Sequence, residues 1–294
     1  MIELIEKGTW VEIHNIVLEV TDRAPQVPED TRKVPLEMHV RGFLVSPAAI
    51  GDDVDIETLS GRHLRGRLAA EDAYETALGS PFDYESAAML YLVNDIPEPS
   101  DRRGHQSGVE HGLIQLCRAT GGRALVLFTS YDQLKRTSRV ISPALAKDDI
   151  LVFEQGEGAS PHTLLENFRS AERAVLLGTR SFWEGVDIPG EALSVLVIVK
   201  LPFDVPTDPI VAARSETFDD PFLQYSLPEA ILRFRQGFGR LIRTQFDRGL
   251  VAIFDRRLLT KRYGNLFVDS LPPCTIQTGS LADLPDTASR WLNI

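Results

Sequence analysis

Between Gln106 and Thr278 the chain repeats one pattern, a short unbroken apolar run followed by a longer amphipathic stretch. The runs are ALVLF (Ala124–Phe128), ILVFEQ (Ile150–Gln155), AVLLGT (Ala174–Thr179), SVLVIVK (Ser194–Lys200) and LVAIF (Leu250–Phe254), with TIQT (Thr275–Thr278) as a weaker sixth. Their length suits strands, and they lack the alternation of a strand with one wet face. Strands that are apolar throughout are buried on both faces, which is the condition of a parallel sheet. SGVEHGLIQLCRAT, YDQLKRTSRVI and SPHTLLENFRSA lie between the runs and read as helices. The last opens with Ser160 as a cap and Pro161 in the first turn. The pattern predicts a doubly wound α/β domain.

The first part of the chain is less regular. WVEIHNIVLEV reads as a strand or hairpin and RAPQVPEDTRKVP as a loop. IGDDVDIET reads as an exposed acidic stretch, HLRGRLAAEDAYETAL as a helix, and SPFDYESAAMLYLVNDIPEP as a turn, an apolar run and a proline-punctuated loop. We expect residues 1–60 to form an irregular segment and residues 61–294 the α/β domain.

No apolar run approaches the length of a membrane span, and MIELIEKGTW lacks a signal-peptide pattern, so the expected setting is the cytoplasm with no membrane partner. The only cysteines are Cys117 and Cys274, and the six histidines show no ligand spacing. The expectation is no metal site and no iron–sulfur cluster in this chain. A net charge of −11 argues against a generally basic nucleic-acid-binding coat. Residues 226–262 depart from it, with nine Lys/Arg against three Asp/Glu.

That basic stretch reads as a helix begun by Ser226 and Pro228. Ile231, Phe234, Phe238 and Leu241 fall on one face, and Arg233, Gln236, Arg240 and Arg243 on roughly the opposite one. Three guanidinium groups and an amide in a line suit phosphate oxygens; an ordinary solvated face is the alternative. Gly237 and Gly239 each weaken a helix interior by about 1 kcal/mol. They make sense where another backbone or a nucleotide comes close.

Ligands of open α/β sheets collect at the carboxyl ends of the strands. Thr129, Ser130 and Tyr131 follow the first run, Gly178 to Asp187 the third, and Leu201-Pro202-Phe203 the fourth. Hydroxyls and free amides at helix starts are natural phosphate contacts. Thr129 and Ser130 also qualify as plain helix caps, Phe182 and Trp183 as core, and Glu184 and Asp187 as partners of loop amides.

Taken together, the C-terminal two-thirds resembles the second motor lobe of the DinG/XPD branch of superfamily 2 helicases, bacterial DinG-like members above all. GTRSFWEGVDIPG resembles helicase motif V in its DinG form, and QGFGRLIR fits motif VI, Q-x-x-G-R-x-x-R. ALVLFTSYDQL, VIVKLPFDVPTDP and DRGLVAIFDRRLLTKRYGNLFVDSLP resemble the adjoining family segments in the same order. VSPAAI (Val45–Ile50) stands where the family carries motif III and is degenerate.

The resemblance implies a RecA-like doubly wound parallel sheet, the second lobe of an ATP-dependent, 5′ to 3′ DNA helicase with a part in DNA repair. Residues 1–60 would then be a remnant of the first lobe. It implies arginine fingers at Arg240 and Arg243, ATP contacts from Gln236, Gly239, Glu184 and Asp187, and single-stranded DNA contacts from Thr129, Ser130, Tyr131, Thr179 and Ser181. No G-x-x-x-x-G-K-[ST] phosphate loop, D-E-A-H-type box or four-cysteine cluster motif is present. ATP and Mg²⁺ would therefore be held mainly by a first lobe absent from this chain, supplied in cis or in trans, and the isolated chain is expected to lack ATPase activity. Two alternatives stay open: a non-catalytic nucleic-acid-binding or regulatory module, and an unrelated nucleotide-binding α/β enzyme.

Overall fold

The computed structural model describes residues 83–156, 158, 160–183, 193–242 and 247–294, and the backbone of five strands between residues 10 and 67. The chain divides into two compact units, Met1–Ser80 and Pro81–Ile294.

In the first unit β1 (Trp10–Ile13) and β2 (Ile16–Val20) form a hairpin, the second of the two forms expected there, and β2 pairs antiparallel with β3 (Val40–Leu44). β4 (Asp53–Glu57) pairs antiparallel with β5 (His63–Arg67). Two expectations are corrected here. The segment beginning at His63 starts as a strand rather than a helix, and the boundary expected after residue 60 falls between two paired strands. The register sets Asp53 opposite Arg67 and Asp55 opposite Arg65. Gly66 counts against a helix. The motif III position, residues 45–50, lies outside the described residues.

The second unit is a seven-stranded, wholly parallel sheet flanked by helices. Its strands are β6 (Ala88–Val93), β7 (Ala124–Leu127), β8 (Leu151–Glu154), β9 (Ala174–Gly178), β10 (Val195–Ile198), β11 (Gly249–Ile253) and β12 (Thr275–Gly279). The order across the sheet is β12-β6-β11-β10-β7-β9-β8. All six expected strands are present. The apolar run AMLYLV is a seventh, paired between β11 and β12.

Side-chain alternation splits the core into two layers. Leu90, Leu92, Leu125, Leu127, Leu176, Leu196, Ile198, Val251 and Ile253 point to one face. They meet α4 (Pro161–Ser170), α5 (Arg180–Trp183), α7 (Leu227–Phe238), α8 (Arg257–Thr260) and α9 (Gly264–Asp269). Tyr91, Val126, Val175, Leu177, Val197 and Ala252 point to the other. That face is covered by α2 (Arg102–Thr120), α3 (Tyr131–Leu145) and α10 (Leu284–Leu292). Two short helices, α1 (Tyr84–Ala87) and α6 (Pro209–Ser215), complete the unit. Among the described residues no helix is long and apolar enough to cross a membrane.

Local chemistry sets the helix ends. α2 starts at Arg102, earlier than its apolar pattern indicated, because the Asp101 side chain accepts from Gly104 N at 3.0 Å. It stops at Gly121, whose φ of 66° is the left-handed cap conformation. α4 begins as expected, with Ser160 accepting from Thr163 N at 3.1 Å.

His105 on α2 is buried against β11. Its Nε2–H donates to Phe254 O at 2.9 Å, which leaves Nδ1 to accept from Gln133 Nε2 at 3.4 Å. Gln133 Oε1 is left buried without a hydrogen-bond partner. Burial holds His105 below its ordinary pKa of 6.5. The neutral imidazole is thus the form that the fold accommodates. As pH falls below about 6.5 the unfolded chain takes up a proton that folded His105 resists, so this residue's contribution to stability is lost on acidification. Urea midpoints measured between about pH 7.5 and 5 should fall for the wild type and fall less for His105→Asn. Parallel curves for the two proteins would refute this assignment.

Candidate functional site

The residues after β7, β8 and β9 meet at the carboxyl edge of the sheet. Gln155 joins them. Its Oε1 accepts from Thr179 N at 2.7 Å and Thr179 Oγ1 at 2.8 Å, and its Nε2 donates to Ser181 Oγ at 2.9 Å. The Tyr131 hydroxyl donates to Gln155 O at 2.6 Å. Four polar residues from three separate loops thus form one network. Thr179 and Ser181 lie at the start of α5, Tyr131 at the start of α3. Sequence reasoning took Gln155 as the end of a strand and missed it. An amide directly after an apolar run was the available signal.

Ser130 accepts from Gln133 N at 3.4 Å and so caps α3, the simpler of its two sequence readings. Thr129 beside it is exposed. Phe182 and Trp183 are core, 0% and 2% exposed.

The arginine segment differs most from expectation. Helix α7 runs only to Phe238, with Gly239 as its cap. Ser226 makes no capping hydrogen bond, because the chain already turns helically as a π-helix from Phe222 to Ser226. Arg240 lies in the turn beyond α7, where its N donates to Gly237 O at 3.1 Å. Arg240 is thus not on the helix that carries Arg233.

Arg233 is buried instead. It donates to Asp204 at 2.7 Å, Glu229 at 3.1 Å and Pro202 O at 3.3 Å, which clamps the loop after β10 onto α7. Gly237 is a point of close approach between side chain and helix. A Cβ there would stand 3.0 Å from Cζ3 of Trp183, so the glycine lets the indole pack against α7. Gln236 and Gly239 are half-buried near the end of the helix. Arg243, Glu184 and Asp187 lie outside the described residues.

Trp183 connects the two halves of the site. Its Nε1 donates to Phe128 O at 3.3 Å, at the end of β7. Its carbonyl accepts from Arg240 Nε at 3.4 Å and Nη2 at 3.2 Å. The five residues from Thr179 to Trp183 therefore touch the Gln155 network at one end and Arg240 at the other.

Beyond β10 and β11 the carboxyl edge carries a second charged group. Asp255 is buried, accepts from Leu201 N at 2.8 Å and pairs with Arg257 Nη2 at 2.6 Å. Lys200 beside them is held below its ordinary pKa, chiefly by burial. The thiols are poor nucleophiles, since burial pushes Cys117 up to about 12 and Cys274 up to about 11. Among the described residues no His, Cys, Asp and Glu cluster is placed to hold a metal ion.

Residues 113–274 match the helicase C-terminal domain family. Residues 4–85 match a different family, described as AKP thiolase subunit OrtA. The chain is 37% identical over 236 residues to the 3'-5' exonuclease DinG of Bacillus subtilis, covering 75% of this chain and 24% of that protein. It is 36% identical over 235 residues to the ATP-dependent DNA helicase YoaA of Escherichia coli, covering 79% of this chain and 35% of that protein. It thus spans about a quarter to a third of the length of these relatives. Among solved structures, S. cerevisiae Dbp5 bound to RNA and ADP BeF3 aligns with a TM-score of 0.46 at 12% identity, over 75% of this chain and 49% of that one.

The burial of Arg233 can be tested directly. Arg233→Ala strands two carboxylates in a nearly dry site and should cost about 3–5 kcal/mol in chemical denaturation. A cost below about 1 kcal/mol would restore Arg233 to a solvated helix face.

Proposed function

Because the chain belongs to the helicase C-terminal domain family, we propose that it acts as the second motor lobe of a DinG-type, ATP-dependent DNA helicase moving 5′ to 3′ in the cytoplasm. One observation carries this reading: the segment Thr179–Trp183 is bonded both to the hydroxyl network at the sheet edge and to Arg240. A motor lobe needs such a link between the group that senses a nucleotide and the groups that grip a strand.

In this reading Thr129, Ser130, Tyr131, Thr179 and Ser181 hold phosphates of single-stranded DNA. Gln155 orients those groups without needing to touch the strand. Arg240 and Arg243 stabilise charge on the transferred phosphoryl group, a contribution worth roughly 10³–10⁵ in rate where it has been isolated. Gln236 and Gly239 border that position, and Glu184 and Asp187 complete the connection. ATP brings the phosphoryl group to be transferred. The phosphate loop and the cation belong to a first lobe, from another part of a longer protein or from a partner. Closure of the lobes on nucleotide would shift the Arg240–Trp183 contact and, through α5, the grip on the strand.

A second reading is a nucleic-acid-binding or regulatory module with no catalytic role. The match of residues 4–85 outside the helicases favours it. Addition of a first-lobe fragment separates the two. The chain alone should hydrolyse ATP negligibly, and the mixture should show DNA-stimulated turnover that Arg240→Ala abolishes. Robust turnover by the chain alone would defeat the divided-motor reading, and a mixture that stays inactive would favour the module. Both readings require binding of single-stranded DNA at low salt. By anisotropy, Gln155→Ala should weaken it on the order of tenfold, with little change in melting temperature. No binding by the wild type would defeat both.

A further inference from the structure

A groove of about 420 Å³ runs between α3 and the edge strand β8, lined by Lys135, Ser138, Arg139, Ser142, Glu154 and Gly156. The four α3 residues fall three, one and three positions apart, which puts them on one face of the helix. Lys135 and Arg139 are exposed, and among the described residues neither makes an ion pair. Their neighbour Arg136 does, to Asp132 at 3.0 Å. Ser138 and Ser142 bring their hydroxyls to 3.3 Å of each other. Glu154 is the one carboxylate in the lining, half-buried, and it keeps an anion toward the cationic α3 side.

The groove is continuous with the site above. Gly156 lines it and directly follows Gln155. The glycine has φ 111°, and a Cβ there would collide with the Tyr131 hydroxyl. Only glycine lets this loop press against the start of α3. Lys135 Nζ in turn sits 5.2 Å from the centre of the Tyr131 ring. A strand held by Thr179, Ser181 and Tyr131 therefore meets two further cations and a pair of hydroxyls if it continues past Gly156. In a protein of net charge −11 such a local cationic track is the exception.

We propose that this groove is a second phosphate-binding surface, in which Lys135 and Arg139 each contact one phosphate of single-stranded DNA leaving the sheet-edge site. The inference rests on the nucleic-acid reading of that site and extends it to residues that the reading does not use. The contacts are to the backbone and carry no base preference.

The test compares oligothymidylates of about 6 and about 20 nucleotides, the range of single-stranded site sizes, by anisotropy across a salt series. Lys135→Ala/Arg139→Ala should bind the short strand like the wild type. It should bind the long strand on the order of tenfold more weakly at about 50 mM salt, with a log–log salt slope shallower by about 1.4, or 0.7 per lost phosphate contact. Arg123→Ala/Arg173→Ala removes the same charge from the amino ends of β7 and β9 and should change neither quantity. Both positions in the test variant are exposed, and an unchanged melting temperature verifies its fold. Wild-type affinity and slope for the long strand in the test variant would overturn the groove while leaving the sheet-edge site standing. So would equal losses in the two double variants. A wild type that binds neither oligonucleotide would overturn the nucleic-acid reading itself and the groove with it.

Discussion

Burial of the central sheet on both faces governs the rest of the second unit. β6, β7, β9, β10 and β11 are buried at every position. The strands have no room for polar chemistry along their length, so polar groups are confined to the strand ends. All strands run in the same direction, so one edge collects every loop that leaves a carboxyl end. Gln155, Thr179, Lys200 and Asp255 come from four different loops and lie on that edge for this reason.

The same burial turns α5 into a connector. Phe182 and Trp183 must fill the layer beneath α7, and their backbone is fixed as a result. A fixed backbone can hold Arg240 through the Trp183 carbonyl while the other end of the segment is fastened by Gln155. The hydrogen bonds to Arg240, at 3.2 and 3.4 Å, come from a half-exposed side chain. They contribute modestly to stability. Their importance is positional, because they set where a guanidinium stands relative to the Gln155 network.

Arg233 and Arg240 show how similar residues on one predicted helix face separate in the fold. Helical spacing placed them together with Gln236 and Arg243. Yet Arg233 turned inward to Asp204 and Glu229, both distant from or unremarkable beside it in a phosphate-site pattern, and α7 ended before Arg240. Periodicity cannot foresee a carboxylate 29 residues away in the chain, nor a glycine cap that stops a helix inside an otherwise regular pattern. Gly237 was legible as a point of close approach, but the group that approaches is an indole from α5.

The sequence by itself determined the layered α/β architecture, since unbroken apolar runs can be satisfied only in a sheet covered on both sides. It also determined the edge at which the polar loop residues collect, and its motifs pointed to the family. Tertiary structure alone decided which polar residues work together. Gln155 gained its role because β8 and β9 are neighbours in the sheet, and Arg233 lost one because the loop after β10 folds back onto α7. Hydrogen bonds between distant loops depend on strand order and loop path, and neither is written in the local pattern of any one segment.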